Sequence, residues 1–267
     1  MYIMLYIFHI KRFRKKALNR IKLELIMLEL IQVYRKLYEI YGKQNWWPIT
    51  PKNKLVPEYT SSLKKLTETE ILEICLGAIL TQNTSWQNVE KALININQYL
   101  KDKKQKLSID HLNDIDAKTL SKLIQPSGYY NQKTKYIKFF AEHVLEKHKG
   151  SLKLMMNQPS DNLRQELLEL KGIGKETCDS IMLYAANCPI FVVDLYTKRL
   201  FSRLGYLNIK ENYDNWQNFF HSNLDKNTLI FNEYHALIVE HNKKFCTKKP
   251  SCTHCPLNKH CEYNNRD

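Results

Sequence analysis

The residues best suited to chemistry stand in three places. Near the C-terminus, FCTKKPSCTHCPLNKHCEY carries Cys246, Cys252, Cys255 and Cys261 in the spacing C-x5-C-x2-C-x5-C, four of the chain's seven cysteines within sixteen residues. Nothing in the sequence points to export, so disulfides are disfavoured and a metal site is expected. Structural zinc commonly draws on two separate C-x2-C pairs, and only one is present. A single C-x2-C with longer arms can wrap a cubane with one thiolate on each iron, so the spacing favours a [4Fe–4S] cluster over zinc. His254 and His260 are further donors that four cysteines make unnecessary, and the scattered Cys75, Cys178 and Cys188 read as packing residues.

The second place is LKGIGK, residues 170–175. Gly172 and Gly174 flank the apolar Ile173 between two helical patterns, so bare backbone N–H groups stand at a helix N-terminus with Lys171 and Lys175 beside them. Such a turn binds phosphate without reading sequence. G-x-G alone is as often an ordinary helix–helix turn. The third place is Asp194, after the apolar Phe191-Val192-Val193 and before the helical pattern LYTKRLFSRLG. There it is an N-cap, and a carboxylate at a helix N-terminus stays ionised. Beside an apolar pocket, such a charge stabilises an oxocarbenium sugar and orients water.

Composition narrows the partner. Forty-one Lys and Arg against 27 Asp and Glu give a formal charge of +14, which points first to a polyanion such as nucleic acid. With only seven glycines and eight prolines, the chain suits an all-α fold of about ten helices better than a turn-rich sheet protein. It has no apolar run of 18 or more residues, so no membrane span is expected. In MYIMLYIFHIKRFRKK the apolar stretch precedes the basic one, the reverse of a secretory signal, so a cytosolic location is expected.

Helices are expected over 28–41, over the apolar 71–80 as a buried central element, from Thr84 or Ser85, from near Asn131, and over 161–170, 175–187, 195–204 and 229–243. Pro48 in NWWPIT is expected to end the first register and to leave Trp46 and Trp47 on a loop. Gly77 is expected to mark a close approach by another helix.

These motifs together resemble a known family. LKGIGKETCDSIMLYA is similar to the helix-hairpin-helix of the endonuclease III superfamily of DNA glycosylases, VVD to its catalytic aspartate segment, and the cysteine tail to its iron–sulfur loop. GAILTQNTSW and SGYYNQKTKYI resemble its earlier helices, and NWWP resembles the endonuclease III-related 3-methyladenine glycosylases; the likeness runs from about residue 28 to 263. The resemblance implies two all-α lobes with DNA in the cleft between them. Residues 66–188 would form a six-helix lobe carrying the hairpin, 27–65 and 189–267 the iron–sulfur lobe with its loop at 246–261, and 1–26 a basic extension.

It further implies that Asp194 is the catalytic carboxylate. Lys171, Gly172, Ile173, Gly174 and Lys175 would hold the DNA backbone, with a monovalent cation at the hairpin. Gln82 would fill the gap left by a flipped base, and Trp46, Trp47 and Trp86 would line the pocket with Glu176 and Lys243. Lyases of the superfamily carry their Schiff-base lysine where Glu176 stands. The cysteine loop departs from endonuclease III in a first arm one residue shorter. The expected activity is hydrolysis of the N-glycosidic bond of a damaged base, an alkylated purine, by a monomer acting on duplex DNA without lyase activity. The alternatives are a bifunctional endonuclease III-type glycosylase and lyase, a non-catalytic damage-binding protein, and a zinc-stapled DNA-binding regulator.

Overall fold

A computed structural model describes residues 28–59 and 65–265, so the extension expected over 1–26 lies outside the described residues. Among the described residues there are twelve α-helices, and the one β-feature is an isolated antiparallel bridge between Ile49 and Glu58. The helices are α1 (Leu30–Tyr41), α2 (Glu68–Leu80), α3 (Trp86–Asp102), α4 (Ile109–Asp114), α5 (Ala117–Leu123), α6 (Tyr130–His148), α7 (Leu152–Met156), α8 (Ser160–Glu169), α9 (Lys175–Tyr184), α10 (Leu195–Leu204), α11 (Tyr213–Asn223) and α12 (Thr228–Lys244). The all-α class expected from composition is therefore observed.

The chain forms two compact units. Of the described residues, one comprises 28–42, Val193–Leu224 and 237–265; the other comprises 43–59, 65–192 and Asp225–Ala236. These limits differ from those expected near 65/66 and 188/189, and side chains explain why. Residues 43–58 are tied to α2: the Glu73 carboxylate accepts from Thr50 N at 2.9 Å and from Thr50 Oγ1 at 2.6 Å. Burial pushes that carboxyl up to about 7. Asp225–Ala236 joins the same unit through Phe231 and Tyr234, whose rings lie 5.3 and 5.7 Å from Phe191.

In the larger unit, α2 is buried from Ile71 through Leu80, the central helix its apolar sequence predicts. Thr67 starts it with a reciprocal capping box to Glu70. Gly77 is needed for a side chain rather than a helix: a Cβ there would sit 2.7 Å from the Trp47 indole. The helix before NWWP ends earlier than Pro48, at Gly42, which takes φ +66° and donates to Tyr38 O. Ser85 occupies the N-cap of α3 without a side-chain cap bond, and α6 begins one residue before the expected Asn131.

In the smaller unit, Leu30, Val33 and Leu37 of α1 are buried, as are Leu200, Phe201 and Leu204 of α10. Phe201 meets Phe220 of α11 edge-on at 4.9 Å. Tyr41 bonds the buried His241 of α12 at 2.9 Å.

Candidate active site and metal centre

The hairpin sits between α8 and α9, and its two glycines do different work. Gly172 takes φ +92°, a left-handed value, and a Cβ there would stand 2.2 Å from the Tyr136 ring of α6. Gly174 is the N-cap of α9 at φ −88°, and a Cβ there would meet nothing within 4 Å. Ile173 is buried and anchors the turn, whereas Lys171, Gly174, Lys175 and Glu176 are exposed around it. The Lys171 ammonium also lies 5.5 Å over the Phe139 ring. Gly172→Ala is expected to lower Tm by about 5–10 °C, through left-handed strain and overpacking of about 1–3 kcal/mol against Tyr136. Gly174→Ala, a change of N-cap with no steric clash, should cost less than about 1 kcal/mol and lower Tm by no more than about 3 °C. Thermal melts of the two variants check this asymmetry, and equal losses would contradict it.

Gln82 follows α2 and braces the hairpin. Its Nε2 donates to Gly172 O at 2.9 Å and to Thr177 Oγ1 at 3.1 Å. The three tryptophans also come together in this unit. Trp46 lies 4.9 Å from Trp86 and 5.4 Å from Trp47, and Trp47 lies 5.4 Å from Trp86, all edge-on. Trp47 and Trp86 are buried while Trp46 is half-buried. Tyr184, 5.1 Å from Trp47, and the exposed Tyr59, 5.6 Å from Trp46, extend the cluster, and no sequence motif marks either of them. Glu176 stands in the exposed first turn of α9.

Asp194, in the smaller unit, is the N-cap of α10: it is buried, with Oδ1 accepting from Thr197 N at 2.6 Å. Lys243 belongs to the same unit and is exposed on the last turn of α12. The opposite end of α10 carries the cysteine loop. Arg203 donates to Cys246 Sγ at 3.2 Å and to Thr247 O at 2.7 Å, while the Cys261 thiol donates back to Arg203 O at 3.3 Å. Gly205, at φ +101°, leaves room for Glu262, which a Cβ would meet at 2.5 Å. Ten residues make α10 about 15 Å long, so one rigid rod joins the loop to the Asp194 cap.

The four thiols sense one another. Burial raises Cys255 to about 11, and the charges of Cys246, Cys261 and Cys252 add to it. Burial likewise raises Cys246 and Cys261.

The chain has counterparts among known proteins. A family model described as the HhH-GPD superfamily of base excision DNA repair proteins matches residues 76–226. The chain is 44% identical over 234 residues to a Methanocaldococcus jannaschii protein provisionally named a DNA repair glycosylase, spanning 87% of this chain and 95% of that one. It is 28% identical over 233 residues to endonuclease III of Sulfolobus acidocaldarius, again over 87% and 95%. Among solved structures, H. pylori 3-methyladenine DNA glycosylase (MagIII) bound to 1,N6-ethenoadenine superposes with a TM-score of 0.64 at 27% identity, over 81% of this chain and 98% of that chain. A trapped endonuclease III–DNA covalent intermediate shares the fold, with a TM-score of 0.67 at 17% identity over 90% and 98%.

Proposed function

The chain belongs to the HhH-GPD superfamily of base excision DNA repair proteins and is a DNA repair glycosylase, and from that premise we propose that it removes an alkylated purine from duplex DNA by hydrolysis, leaving an intact abasic site. The observation that carries the substrate class is the Trp46–Trp47–Trp86 cluster with Tyr59 and Tyr184. A glycosylase holds its base outside the stack, at a cost of a few kcal/mol, and stacking on aromatic rings returns about 1–3 kcal/mol per base. A base made cationic by alkylation gains more over electron-rich indole. The solved relative MagIII, with 1,N6-ethenoadenine bound, supports the same class.

The residues divide the work as follows. The hairpin N–H groups of Gly172–Gly174, with Lys171 and Lys175, grip a backbone phosphate, and a monovalent cation at the turn is compatible with that grip. Gln82 fills the gap behind the flipped base, for which its amide must leave Gly172 O and Thr177. Asp194, at the N-terminus of α10, stabilises the cationic sugar and orients water against C1′. No amine at Glu176 attacks C1′, so the chemistry stops at hydrolysis. Lys175 is one residue away and turned by roughly 100° on the helix. Lys243 is assigned no step.

Cys246, Cys252, Cys255 and Cys261 would hold the [4Fe–4S] cluster, one thiolate per iron, and when bound it staples the loop. Their chemistry fits: four thiols in one short loop, with the Arg203 guanidinium donating to the Cys246 sulfur. Among the described residues no three of these Sγ atoms fall within 4.8 Å of one another. A single zinc would draw thiolates to about 3.8 Å, from Zn–S bonds of about 2.3 Å.

Borohydride trapping on lesion-containing DNA tests the hydrolytic reading. The expected outcome is no covalent adduct, and strand breaks only after alkali. Efficient trapping, or nicking at the rate of base release, would restore the lyase alternative with Lys243 or Lys175 as the amine.

A further inference from the structure

α6 turns one face toward the hairpin and the helix that enters it. Tyr136 covers Gly172, Phe139 lies under the Lys171 ammonium, and beyond them His143 and His148 converge on Glu166 of α8. Both imidazole Nε2–H groups donate to the same carboxylate oxygen, Oε1, each at 2.5 Å. Gln158 donates to the other oxygen, Oε2, at 2.6 Å. Among the described residues this is the one set of three histidine, cysteine or carboxylate ligand atoms that all lie within 4.8 Å of one another.

We propose that His143, His148 and Glu166 form a divalent transition-metal site of the zinc class, which clamps α6 to the first helix of the hairpin. Two imidazole nitrogens and one carboxylate oxygen are a donor set that zinc takes with water in the fourth position. On an ion with bonds of about 2.0–2.1 Å such ligand atoms stand about 3.3 Å apart, so the side chains need to open by less than about 1 Å. The ion replaces two N–H donors crowded on one oxygen, and both imidazoles ligate neutral with the proton moved to Nδ1.

The surroundings suit a ligand set. Gln158 on Oε2 is the kind of outer partner that orients a ligating carboxylate. Side-chain exposures of 20% for His143, 10% for His148 and 18% for Glu166 leave an approach for an ion and its water. The site shares no residue with the cysteine loop or with the tryptophan cluster, so it stands or fails independently of the glycosylase reading.

The experiment uses the full-length, iron-loaded protein equilibrated with micromolar zinc, freed of unbound metal, and assayed for zinc and iron by mass spectrometry. Wild type should retain about one zinc per chain with its iron unchanged. Its Tm should rise by about 5 °C or more at a hundredfold excess of zinc over Kd. His148→Ala and Glu166→Gln should lose both the zinc and the Tm rise while keeping their iron. Glu166→Gln keeps the volume of the side chain, and a cooperative zinc-free melt in that variant reports that the larger unit, which carries the site, is folded. Wild type without zinc, variants holding as much zinc as wild type, or zinc gained at the expense of iron would each overturn the proposal.

Discussion

Asp194→Asn is expected to slow base release by at least about 10²–10³-fold, the scale of a lost transition-state electrostatic contact, while binding to damaged duplex stays within about tenfold. The substitution isolates charge from structure. Asn is as good an N-cap as Asp, so the bond that Oδ1 accepts from Thr197 N is kept, and with it the start of α10. What is lost is the negative charge that a cationic sugar requires. Single-turnover release of free base, a gel-shift titration and a thermal melt on one preparation separate the three effects. Wild-type rates in this variant would remove Asp194 from the mechanism.

Cys252→Ser is expected to reduce iron to near background and to destabilise the smaller unit by more than about 3 kcal/mol, a Tm drop of about 10 °C. Serine nearly matches the thiol in volume, so lost packing accounts for little of this. The loop has few apolar anchors of its own: Cys246 and Leu257 are buried, but most of residues 246–265 are not. It is held instead by Arg203, whose guanidinium meets Cys246 Sγ and the carbonyls of Thr247 and Lys248. Because α10 runs from Asp194 to that arginine, a loosened loop should also lower base release. Iron analysis, absorbance near ~400 nm and thermal melts check the expectation; zinc, being d¹⁰, would give no such absorbance. Unchanged iron and Tm would refute ligation by Cys252.

What could be read from the sequence was local. The cysteine spacing, the hairpin glycines and the Asp194 cap each lie within one short segment, and their chemistry follows from spacing along it. The central helix α2 was legible because ten consecutive residues from Ile71 to Leu80 are buried, including one charged exception, Glu73. What escaped depends on partners far along the chain. Gly77 reads as a helix contact, but its neighbour is the Trp47 ring, thirty residues earlier. Gly172 and Gly174 read as equivalent, yet Tyr136 stands against only the first. The lobe limit expected at 65/66 falls at 42/43 because Thr50 and Trp47 bind α2, a pairing no periodicity announces. Trp47 and Trp86 are buried, leaving Trp46 and Tyr59 as the more accessible rings of their cluster. His143, His148 and Glu166 carry no motif at all, since the two histidines are five apart at a helix end and the carboxylate comes from another helix.

The central claim is hydrolytic excision of an alkylated purine, and the most direct measurement is chromatography of the free bases released from methylated, oxidised and uracil-containing duplex DNA. Release of methylated purine from the first substrate, with the strand unbroken until alkali is added, is the predicted result. Tight binding of methylated DNA with no free base released, or release confined to oxidised or uracil-containing DNA, would contradict it.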